Sequence, residues 1–248
     1  MKGVVLAGGK GTRLYPCTLV VNKHLIPIYD KPMIYYPLLT LKEAGCTNIL
    51  VVTGGKNAGE FMELLKDGKQ LGLNSVVYAY QENPTGGIAQ ALLLAEQFIG
   101  KDKFLMILGD NLILEKGQEF KNIIYDFMSN PLFNNSAKIF IKEVDNPSAF
   151  GVAEINDNNE VINIVEKPKE PKTNKAVIGL YLYDYNVFGI IKTISPSARG
   201  ELEITDVNMK YVKMNKMSYY NIKNEWLDTG SFESLYLANQ VIKSLNSN

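Results

Sequence analysis

The sequence predicts an α/β fold: a mostly parallel central sheet with helices on both faces, extended by an antiparallel layer. In the first half of the chain, short apolar runs alternate with segments of helical periodicity, which is typical of parallel strands joined by right-handed crossovers. In the second half, apolar runs follow one another between polar turns, which favours antiparallel strands. Ligands of such sheets bind beyond the carboxyl ends of the parallel strands, so the loops there are candidate sites.

The first half takes its elements from buried apolar runs and the periodic segments between them. Gly45 suits the position just after the first helix, and Pro32 suits the first turn of that helix. We predict strands over residues 4–7, 49–52, 76–80 and 104–108, and helices over residues 32–44, 58–66 and 88–98.

The second half begins after a predicted helix near residues 117–128. Polar turns such as residues 156–159 separate its apolar runs, and an aromatic-rich loop over residues 225–230 lies between the last strand and the last helix. The chain shows no internal repeat, low-complexity tract or linker, so we do not divide it into independent domains. We predict strands over residues 137–142, 152–155, 161–166, 177–183 and 219–222, and helices over residues 204–214 and 231–245.

Composition excludes several classes of protein. The 248 residues include 26 basic and 26 acidic side chains, and a net charge of zero argues against binding nucleic acid through a broad basic face. No apolar run is long enough to cross a bilayer. Cys17 and Cys46 lack metal-ligand spacing and residues 2–7 are too short for a targeting segment, so we expect a soluble, cytoplasmic protein. The single histidine, His24, nearly excludes zinc enzymes and histidine-dependent hydrolases.

A glycine-rich stretch follows the first strand, Leu6-Ala7-Gly8-Gly9-Lys10-Gly11-Thr12-Arg13-Leu14. Glycines let backbone N–H groups point at an anion. Only two of the 26 basic residues are arginine, Arg13 and Arg199, which suits a forked phosphate donor. Lys23 returns to the same strand end. The spacing of the glycines fits neither a Walker loop nor a dinucleotide-binding fingerprint. A tight turn without a binding function is the alternative interpretation.

Two carboxylates are candidate metal ligands. Asp110 follows the strand over residues 104–108, and Asp228 lies in the aromatic-rich loop. Each could instead cap a helix. Two carboxylates without histidine or cysteine match the oxygen-only coordination of Mg²⁺, with phosphates and water completing the octahedron.

Three further stretches are candidate binding elements. Glu166-Lys167-Pro168 ends a strand, and Pro168 predicts an extended Lys167; an exposed charged pair is the alternative. Residues 197–206 carry Arg199 but could be only a charged helix entry. The segment from Gln81 to the glycine pair before residue 88 could read a base edge or make a tight turn.

Together these stretches resemble the sugar nucleotidyltransferase family, and within it the short-form glucose-1-phosphate thymidylyltransferases. The resemblance spans nearly the whole chain in the family's order, which makes it specific. It implies a Rossmann-like, nucleotide-diphospho-sugar transferase fold. The matching stretches are residues 6–14, residue 23 with residues 25–37, and residues 108–111, 166–168, 179–184, 198–206 and 226–230.

The resemblance also implies roles for individual residues. Arg13, Lys23, Asp110 and Asp228 would be catalytic, the two aspartates binding Mg²⁺. The nucleotide would be bound by Leu6, Gly8, Gly9, Gly11, Thr12, Arg13, Gln81 and Gly87. The sugar phosphate would be bound by Asn111, Gly151, Glu166, Lys167, Val177, Tyr181, Arg199 and Trp226.

The implied reaction transfers a nucleotidyl group from dTTP to glucose 1-phosphate, releasing pyrophosphate, for deoxysugar or surface polysaccharide synthesis. The same reaction with UTP is the alternative, and a non-catalytic nucleotide-sugar sensor is a more distant one. The resemblance gives one domain over residues 1–248, with a nucleotide-binding part over about residues 1–130, a sugar-binding part over about 131–230 and a C-terminal helix over 231–246. We expect a monomer or small homo-oligomer that binds neither nucleic acid nor membranes.

The sequence departs from the family pattern at several positions. His24 stands where these enzymes usually have glutamine, and Phe150 stands where they have tyrosine. The loop that includes Gly86 and Gly87 is one residue longer than in well-known members. The C-terminal extension of the longer forms does not follow the last predicted helix, so their regulatory site is not expected.

Overall fold

The computed structural model describes residues 1–55, 57–115 and 117–246. This part of the chain contains 13 strands, and nine of them form one sheet. Every strand predicted from an apolar run is present. The strands are β1 (Lys2–Leu6), β2 (Pro27–Ile28), β3 (Lys31–Pro32), β4 (Asn48–Gly54), β5 (Ser75–Gln81), β6 (Phe104–Leu108), β7 (Asn111–Ile113), β8 (Ala137–Glu143), β9 (Gly151–Ile155), β10 (Val161–Glu166), β11 (Lys175–Tyr183), β12 (Met217–Asn221) and β13 (Trp226–Asp228).

Helices cover the sheet, and none of those described is long and apolar enough to span a membrane. Gly45, with φ 84°, follows the first helix as predicted. The placement of Pro32 was wrong: it lies in β3, and Pro37 occupies the first helical turn. The helices are α1 (Tyr35–Glu43), α2 (Ala58–Leu65), α3 (Ile88–Leu93), α4 (Glu96–Ile99), α5 (Gln118–Ser129), α6 (Val187–Ile191), α7 (Ile204–Lys213) and α8 (Phe232–Asn246).

The helix predicted over residues 88–98 is divided into α3 and α4. At the break, the N–H groups of Leu94 and Ala95 donate to carbonyl groups three residues back, over 3.2 and 2.9 Å. These shorter loops replace the i to i−4 pattern of an α-helix. The first turn of α3 is unaffected and still follows Gly87.

The main sheet has the order β10-β9-β11-β6-β1-β4-β5. Strands β6, β1, β4 and β5 are parallel neighbours, with Val4 opposite both Leu50 and Met106. Strand β11 pairs antiparallel with β6, placing Leu180 opposite Ile107, and also pairs with β8 and β9. The predicted antiparallel strands therefore continue the parallel sheet along its edge.

Both faces of the sheet are buried, as the fold class requires. Successive residues of a strand point to opposite faces, so Val4 packs in a core with α3 and α7, whereas Val5 packs in a second core with α1 and α5. All four parallel strands contribute side chains to both cores. This explains why they appear in the sequence as continuous apolar runs rather than as alternating ones.

A two-stranded pair, β7 with β13, lies where the chain leaves β6. Trp226 is opposite Ile113, and Asp228 is opposite Asn111. β13 lies inside the stretch predicted as a loop. Helix α8 packs its buried Ala238 against this region. The pair brings the aromatic-rich segment to the carboxyl end of the parallel strands.

Candidate active site

A cavity of about 320 Å³ opens where β1 and β6 end, with residues of both halves of the chain in its wall. Most residues predicted as site residues line it. Gly11, Thr12 and Arg199 are outside this lining. The predicted residues that line the cavity are Leu6, Gly8, Gly9, Arg13, Lys23, Gln81, Gly87, Asp110, Asn111, Gly151, Glu166, Lys167, Val177, Tyr181, Trp226 and Asp228.

The loop after β1 is held against both neighbouring strands. Ala7 donates its N–H to the carbonyl of Val52 over 2.7 Å, and Gly109 donates to the carbonyl of Leu6 over 2.9 Å. A Cβ added to Gly8 would lie 2.1 Å from Oε1 of Gln81. Only glycine permits this approach, and it fixes the buried Gln81 amide beside the glycine-rich loop.

Arg13 reaches the cavity from the short 3₁₀ turn Thr12–Leu14. Gly11 starts this turn with φ 63°, in the left-handed region that favours glycine. A Cβ on Gly230 would lie 2.5 Å from Nη2 of Arg13 and 3.0 Å from Oδ1 of Asp228. The guanidinium group therefore lies over a bare backbone, close to the Asp228 carboxylate.

Lys23 and Asp110 form a partly buried ion pair in which Nζ donates to Oδ2. Asn111 donates its side-chain N–H to Oδ1 of Asp110 over 3.2 Å. Burial alone would raise the pKa of Asp110, but the Lys23 charge and these hydrogen bonds hold that pKa well below its usual range. The carboxylate is therefore ionised across the physiological pH range.

The pKa of Asp228 shifts in the opposite direction, upward. Burial and the nearby Asp110 charge raise the pKa of Asp228 to about 6, although Arg13 and Lys23 oppose the shift. The N–H of Gly230 donates to its Oδ1 over 3.0 Å. The negative charges of the two carboxylates repel each other, and a cation bound between them would reduce this repulsion.

This donor set fits Mg²⁺. It offers carboxylate oxygens and no nitrogen or sulfur ligand, and the cavity leaves room for further oxygens. The described residues contain no group of three or more His, Cys, Asp or Glu that could hold a metal alone. The remaining ligands of an octahedron would have to come from substrate phosphates and water.

His24 lines the cavity beside Lys23 and Asp110, and its side chain is buried. Its backbone N–H and its ring Nδ1 both lie near Oδ1 of Asn22, at 3.0 and 2.8 Å. Burial, followed by the Lys23 charge, lowers the pKa of His24 to about 3. The ring is therefore neutral at physiological pH.

Asn111, next to Asp110 in the cavity wall, joins three strands. Its Oδ1 accepts hydrogen bonds from the N–H of Gly179 over 2.9 Å and from Nε1 of Trp226 over 2.7 Å. A Cβ on Gly179 would lie 2.7 Å from the amide carbon of Asn111. The Trp226 ring packs edge-on against Phe150, with centroids 5.1 Å apart. These contacts fix the indole in the cavity wall.

Glu166 and Lys167 lie at the end of β10. Thr205 donates its hydroxyl to Oε2 of Glu166 over 2.6 Å. The extended conformation predicted for Lys167 was wrong: its φ is 44°, in the left-handed region. Its N–H donates to the carbonyl of Phe150 over 2.9 Å. This tertiary bond outweighs the local preference before proline, and such strain is frequent at functional sites.

Arg199 does not line the cavity but lies beside it. Its guanidinium group makes three hydrogen bonds to the Glu203 carboxylate, at 2.8 to 3.1 Å. Ser197 donates to the same carboxylate over 2.7 Å. Glu166 is 3.4 Å from the guanidinium. Arg199 is therefore held by a fixed anchor beside the end of β10.

Sequence reasoning missed the residues that hold the others in place. Thr205, Glu203 and Thr229 are buried and hydrogen-bonded to groups named above. Each lies inside a stretch that was matched to the family pattern, but none was given a role. The available signal was a polar residue among apolar neighbours in the sequence, because a polar group that becomes buried requires a hydrogen-bond partner.

Comparison with known proteins agrees with this geometry. A family model described as nucleotidyl transferase matches residues 2–244. The chain therefore belongs to the nucleotidyl transferase family.

Individual relatives and solved structures show which members of the family this chain is similar to. The chain is 44% identical to a glucose-1-phosphate thymidylyltransferase of Neisseria meningitidis serogroup A, covering 100% of this chain and 84% of the relative. It is 42% identical to one of Mycobacterium tuberculosis H37Rv, covering 99% and 83%. A crystal structure from Bacillus anthracis, described as the same enzyme with sucrose bound, has a TM-score of 0.88 at 44% identity, covering 97% and 94%. UDP-glucose pyrophosphorylase with UDP-glucose has a TM-score of 0.84 at 27% identity, covering 98% of each chain.

Proposed function

We propose that this protein transfers a thymidylyl group from dTTP to glucose 1-phosphate, giving dTDP-glucose and pyrophosphate. One observation carries the proposal: the glycine-rich loop, the Asp110–Asp228 carboxylates and the polar groups of the antiparallel strands line a single cavity. Full-length identity of 44% to a glucose-1-phosphate thymidylyltransferase supports the choice of substrates. The reaction joins two phosphorylated substrates, and a cavity with two polar sides can bind both of them.

The nucleotide side is proposed to lie at the end of β1. Backbone N–H groups around Gly8 and Gly9 would face the triphosphate, with Gly11 and Thr12 shaping the turn that presents Arg13. Gln81 and Gly87, which line the cavity together with Leu6, would contact the pyrimidine ring.

The sugar side is proposed to lie along β9, β10 and β11. Glu166 would accept hydrogen bonds from sugar hydroxyls, because Thr205 already fixes its second oxygen. Lys167 and Arg199 would bind the phosphate of glucose 1-phosphate. The wall against the sugar ring would be formed by Asn111, Gly151, Val177, Tyr181 and Trp226.

The proposed chemistry is an in-line displacement. A phosphate oxygen of glucose 1-phosphate attacks the α-phosphorus of dTTP, and the new P–O bond forms as the bond to the pyrophosphate oxygen breaks. The attacking phosphate is already ionised at neutral pH, so the reaction needs no general base. Lys23 and Arg13 would lower the repulsion between the two polyanions, and their fixed positions make this effective.

Asp110 and Asp228 are proposed to hold Mg²⁺. Their oxygen-only donor set and opposed charges support this assignment. Bound Mg²⁺ supplies neutralisation of phosphate charge at the reacting centre. Lys23, paired with Asp110, would stay beside the transferred phosphoryl group and donate hydrogen bonds to it.

The same reaction with UTP is the second candidate, favoured by the structural likeness to UDP-glucose pyrophosphorylase. Thymine and uracil differ by one methyl group, which a small apolar pocket distinguishes by about 1.4 kcal/mol, or roughly tenfold. The base therefore has to be identified by assay.

The test measures pyrophosphate release with glucose 1-phosphate, Mg²⁺ and each nucleoside triphosphate in turn. We expect the highest kcat/KM with dTTP, a value about tenfold lower with UTP, and little turnover with ATP or GTP. Equal turnover of purine nucleotides would contradict the assigned base-reading role of Gln81. A higher kcat/KM with UTP would select the second candidate.

We also propose a cytoplasmic location. Cys17 is an exposed free thiol and Cys46 a buried one. Free thiols persist in reducing compartments. Burial raises the pKa of Cys46 to about 12, so the more reactive thiol is the exposed Cys17.

A further inference from the structure

The strands β7 and β13 position Asp110 and Asp228, the two carboxylates proposed to hold Mg²⁺, and they form a small unit. Asp110 directly precedes β7, and Asp228 is the last residue of β13. Each strand has three residues, and within the described chain neither joins the main sheet. A two-stranded pair of this size has little stability of its own. The separation of the two carboxylates therefore depends on contacts beyond the strand pairing.

Thr229, the residue after β13, supplies such contacts. Its backbone N–H donates to the carbonyl oxygen of Asp110 over 3.0 Å, and its hydroxyl donates to the same oxygen over 2.8 Å. The side chain is fully buried, with Sδ of Met33 3.2 Å from the hydroxyl oxygen. Two hydrogen bonds thus connect the residue next to Asp228 with Asp110 itself.

We infer that Thr229 is a positioning residue that sets the separation of the Asp110 and Asp228 carboxylates. Like charges on these two groups repel each other and favour separation of the strands that carry them. The bonds from Thr229 oppose that separation at the point where the two carboxylates are attached. Any residue except proline could donate the backbone bond, so the hydroxyl bond is the specific contribution of threonine.

The inference rests on the proposed function, in which these carboxylates hold Mg²⁺. Mg²⁺ requires near-octahedral geometry at short distances, whereas Ca²⁺ accepts six to eight oxygens in a flexible arrangement. Loss of the hydroxyl bond should therefore weaken binding of Mg²⁺ more than binding of Ca²⁺. A residue with a purely structural role would lower the melting temperature without changing the ratio of the two affinities.

The experiment compares Thr229→Ala with Thr229→Ser, because the two variants differ only in the hydroxyl. Calorimetric titration of the substrate-free protein with MgCl₂ and CaCl₂ gives both affinities, and thermal unfolding gives the stability. We expect Thr229→Ala to weaken Mg²⁺ binding about 10-fold, the ratio for one hydrogen bond of about 1.4 kcal/mol. Ca²⁺ binding should weaken less than about 3-fold. Thr229→Ser should bind both ions like the unmodified protein.

The matched control is Thr53→Ala. Thr53 is also buried, but its hydroxyl has no hydrogen-bond partner among the described residues. Removing it should leave the affinity for both ions unchanged. If Thr229→Ala leaves a cavity that destabilises the fold, Thr229→Val, which retains the side-chain volume without the hydroxyl, should show the same tenfold loss of Mg²⁺ affinity.

Asp110→Asn separates the two possible failures. If this variant loses Mg²⁺ binding while Thr229→Ala and Thr229→Val bind Mg²⁺ and Ca²⁺ with unaltered affinities, the inference about Thr229 is overturned and the metal role stands. If Asp110→Asn still binds Mg²⁺ normally, the proposed metal role is wrong and the inference falls with it. An equal loss of Mg²⁺ and Ca²⁺ affinity would also overturn the inference, since it would show general loosening rather than a set separation.

Discussion

The two sides of the cavity are built by different means. Beside the parallel strands, the site depends on an absent side chain: the Gln81 amide approaches the backbone of Gly8 so closely that a Cβ would lie 2.1 Å from it. Beside the antiparallel strands, the site depends on side chains that hold one another. There Glu203 anchors Arg199 through three hydrogen bonds, and Thr205 orients Glu166.

The difference predicts how each side fails. A wall shaped by backbone approach is damaged when volume is added, because the neighbouring group has to leave its position. A wall shaped by side-chain hydrogen bonds is damaged when a donor or acceptor is removed, because its partner loses its fixed orientation. Substitutions on either side should therefore change the KM of one substrate and spare the other.

The largest effect is expected at Asp110, which lies between the two sides and should not distinguish them. Asp110→Asn removes the charge that pairs with Lys23 and is proposed to hold Mg²⁺, so kcat should fall about 1,000-fold. Pyrophosphate release at saturating Mg²⁺ measures it, and circular dichroism checks the fold. As a control, Asp102→Asn breaks the exposed ion pair with Lys2 and should leave kcat unchanged. Normal turnover by Asp110→Asn would remove Asp110 from the site.

On the nucleotide side, Gly8→Ala tests the effect of added volume. The backbone at Gly8 lies outside the left-handed region, so alanine fits the local conformation, but its Cβ would displace Gln81. We expect the KM for dTTP to rise about 10-fold, the loss of roughly one hydrogen bond to the base, with the KM for glucose 1-phosphate unchanged. Gly59→Ala is the matched control, since its Cβ would meet nothing within 4 Å. Equal changes in both KM values would break the comparison.

On the sugar side, Glu203→Gln tests the effect of a lost acceptor. The amide cannot accept from Arg199 at both positions, so the guanidinium should lose its fixed orientation. We expect the KM for glucose 1-phosphate to rise about 5-fold, within the range for one charge-assisted bond, and the KM for dTTP to stay constant. Glu96→Gln, which breaks an exposed pair with Lys192, serves as the control. A rise in the KM for dTTP instead would assign Arg199 to the nucleotide.

The smallest effect at neutral pH is expected at His24, which lines the cavity beside Lys23. Burial lowers the pKa of His24 to about 3, whereas an unfolded histidine has a pKa near 6.5. Below pH 6.5 the unfolded chain binds a proton that the folded chain does not. The contribution of His24 to the free energy of unfolding should therefore have its full value above pH 6.5. Below pH 6.5 it should fall by about 1.4 kcal/mol per pH unit toward pH 3.

The His24→Gln variant isolates this contribution from that of the carboxylates. Urea unfolding at pH 7 and pH 5 should show about 2 kcal/mol less loss of stability in the variant than in the unmodified protein. Equal losses in the two proteins would mean that His24 is protonated in the folded state.

The sequence allowed the convergence of the strand ends to be predicted. Parallel strands bring their carboxyl ends to one edge of a sheet, so Arg13 after β1 and Asp110 after β6 were expected in the same crevice, and both line the cavity. Asp228 was selected by its carboxylate chemistry and by the family resemblance, not by its place in a predicted strand. Its position depends on the pairing of β13 with β7, where the bonded Trp226 and Asn111 are 115 residues apart. The local sequence of a three-residue strand does not predict a contact with a residue so distant in the chain.

Other features could not be predicted because tertiary contacts outweigh local preference. Lys167 precedes a proline, yet its bond to Phe150 keeps it in the left-handed region. Arg199 was singled out as a scarce forked donor, but its tight pairing with Glu203 depends on the fold of the segment between them. For Lys167 the deciding partner, Phe150, lies outside the stretch from which the prediction was made, whereas Glu203 lies inside the stretch that carries Arg199 but only the folded segment brings the two side chains together.

The hydrogen bonding of β11 to β6 has a consequence for how the molecule can move. This pairing joins the parallel and antiparallel strands into one continuous ladder, with Tyr181 opposite Met106 at the seam. A clamshell motion of the two halves would have to rupture that ladder, so the molecule has no hinge at this seam. We therefore expect the nucleotide to enter and pyrophosphate to leave by displacement of the rim loops rather than by opening of the sheet.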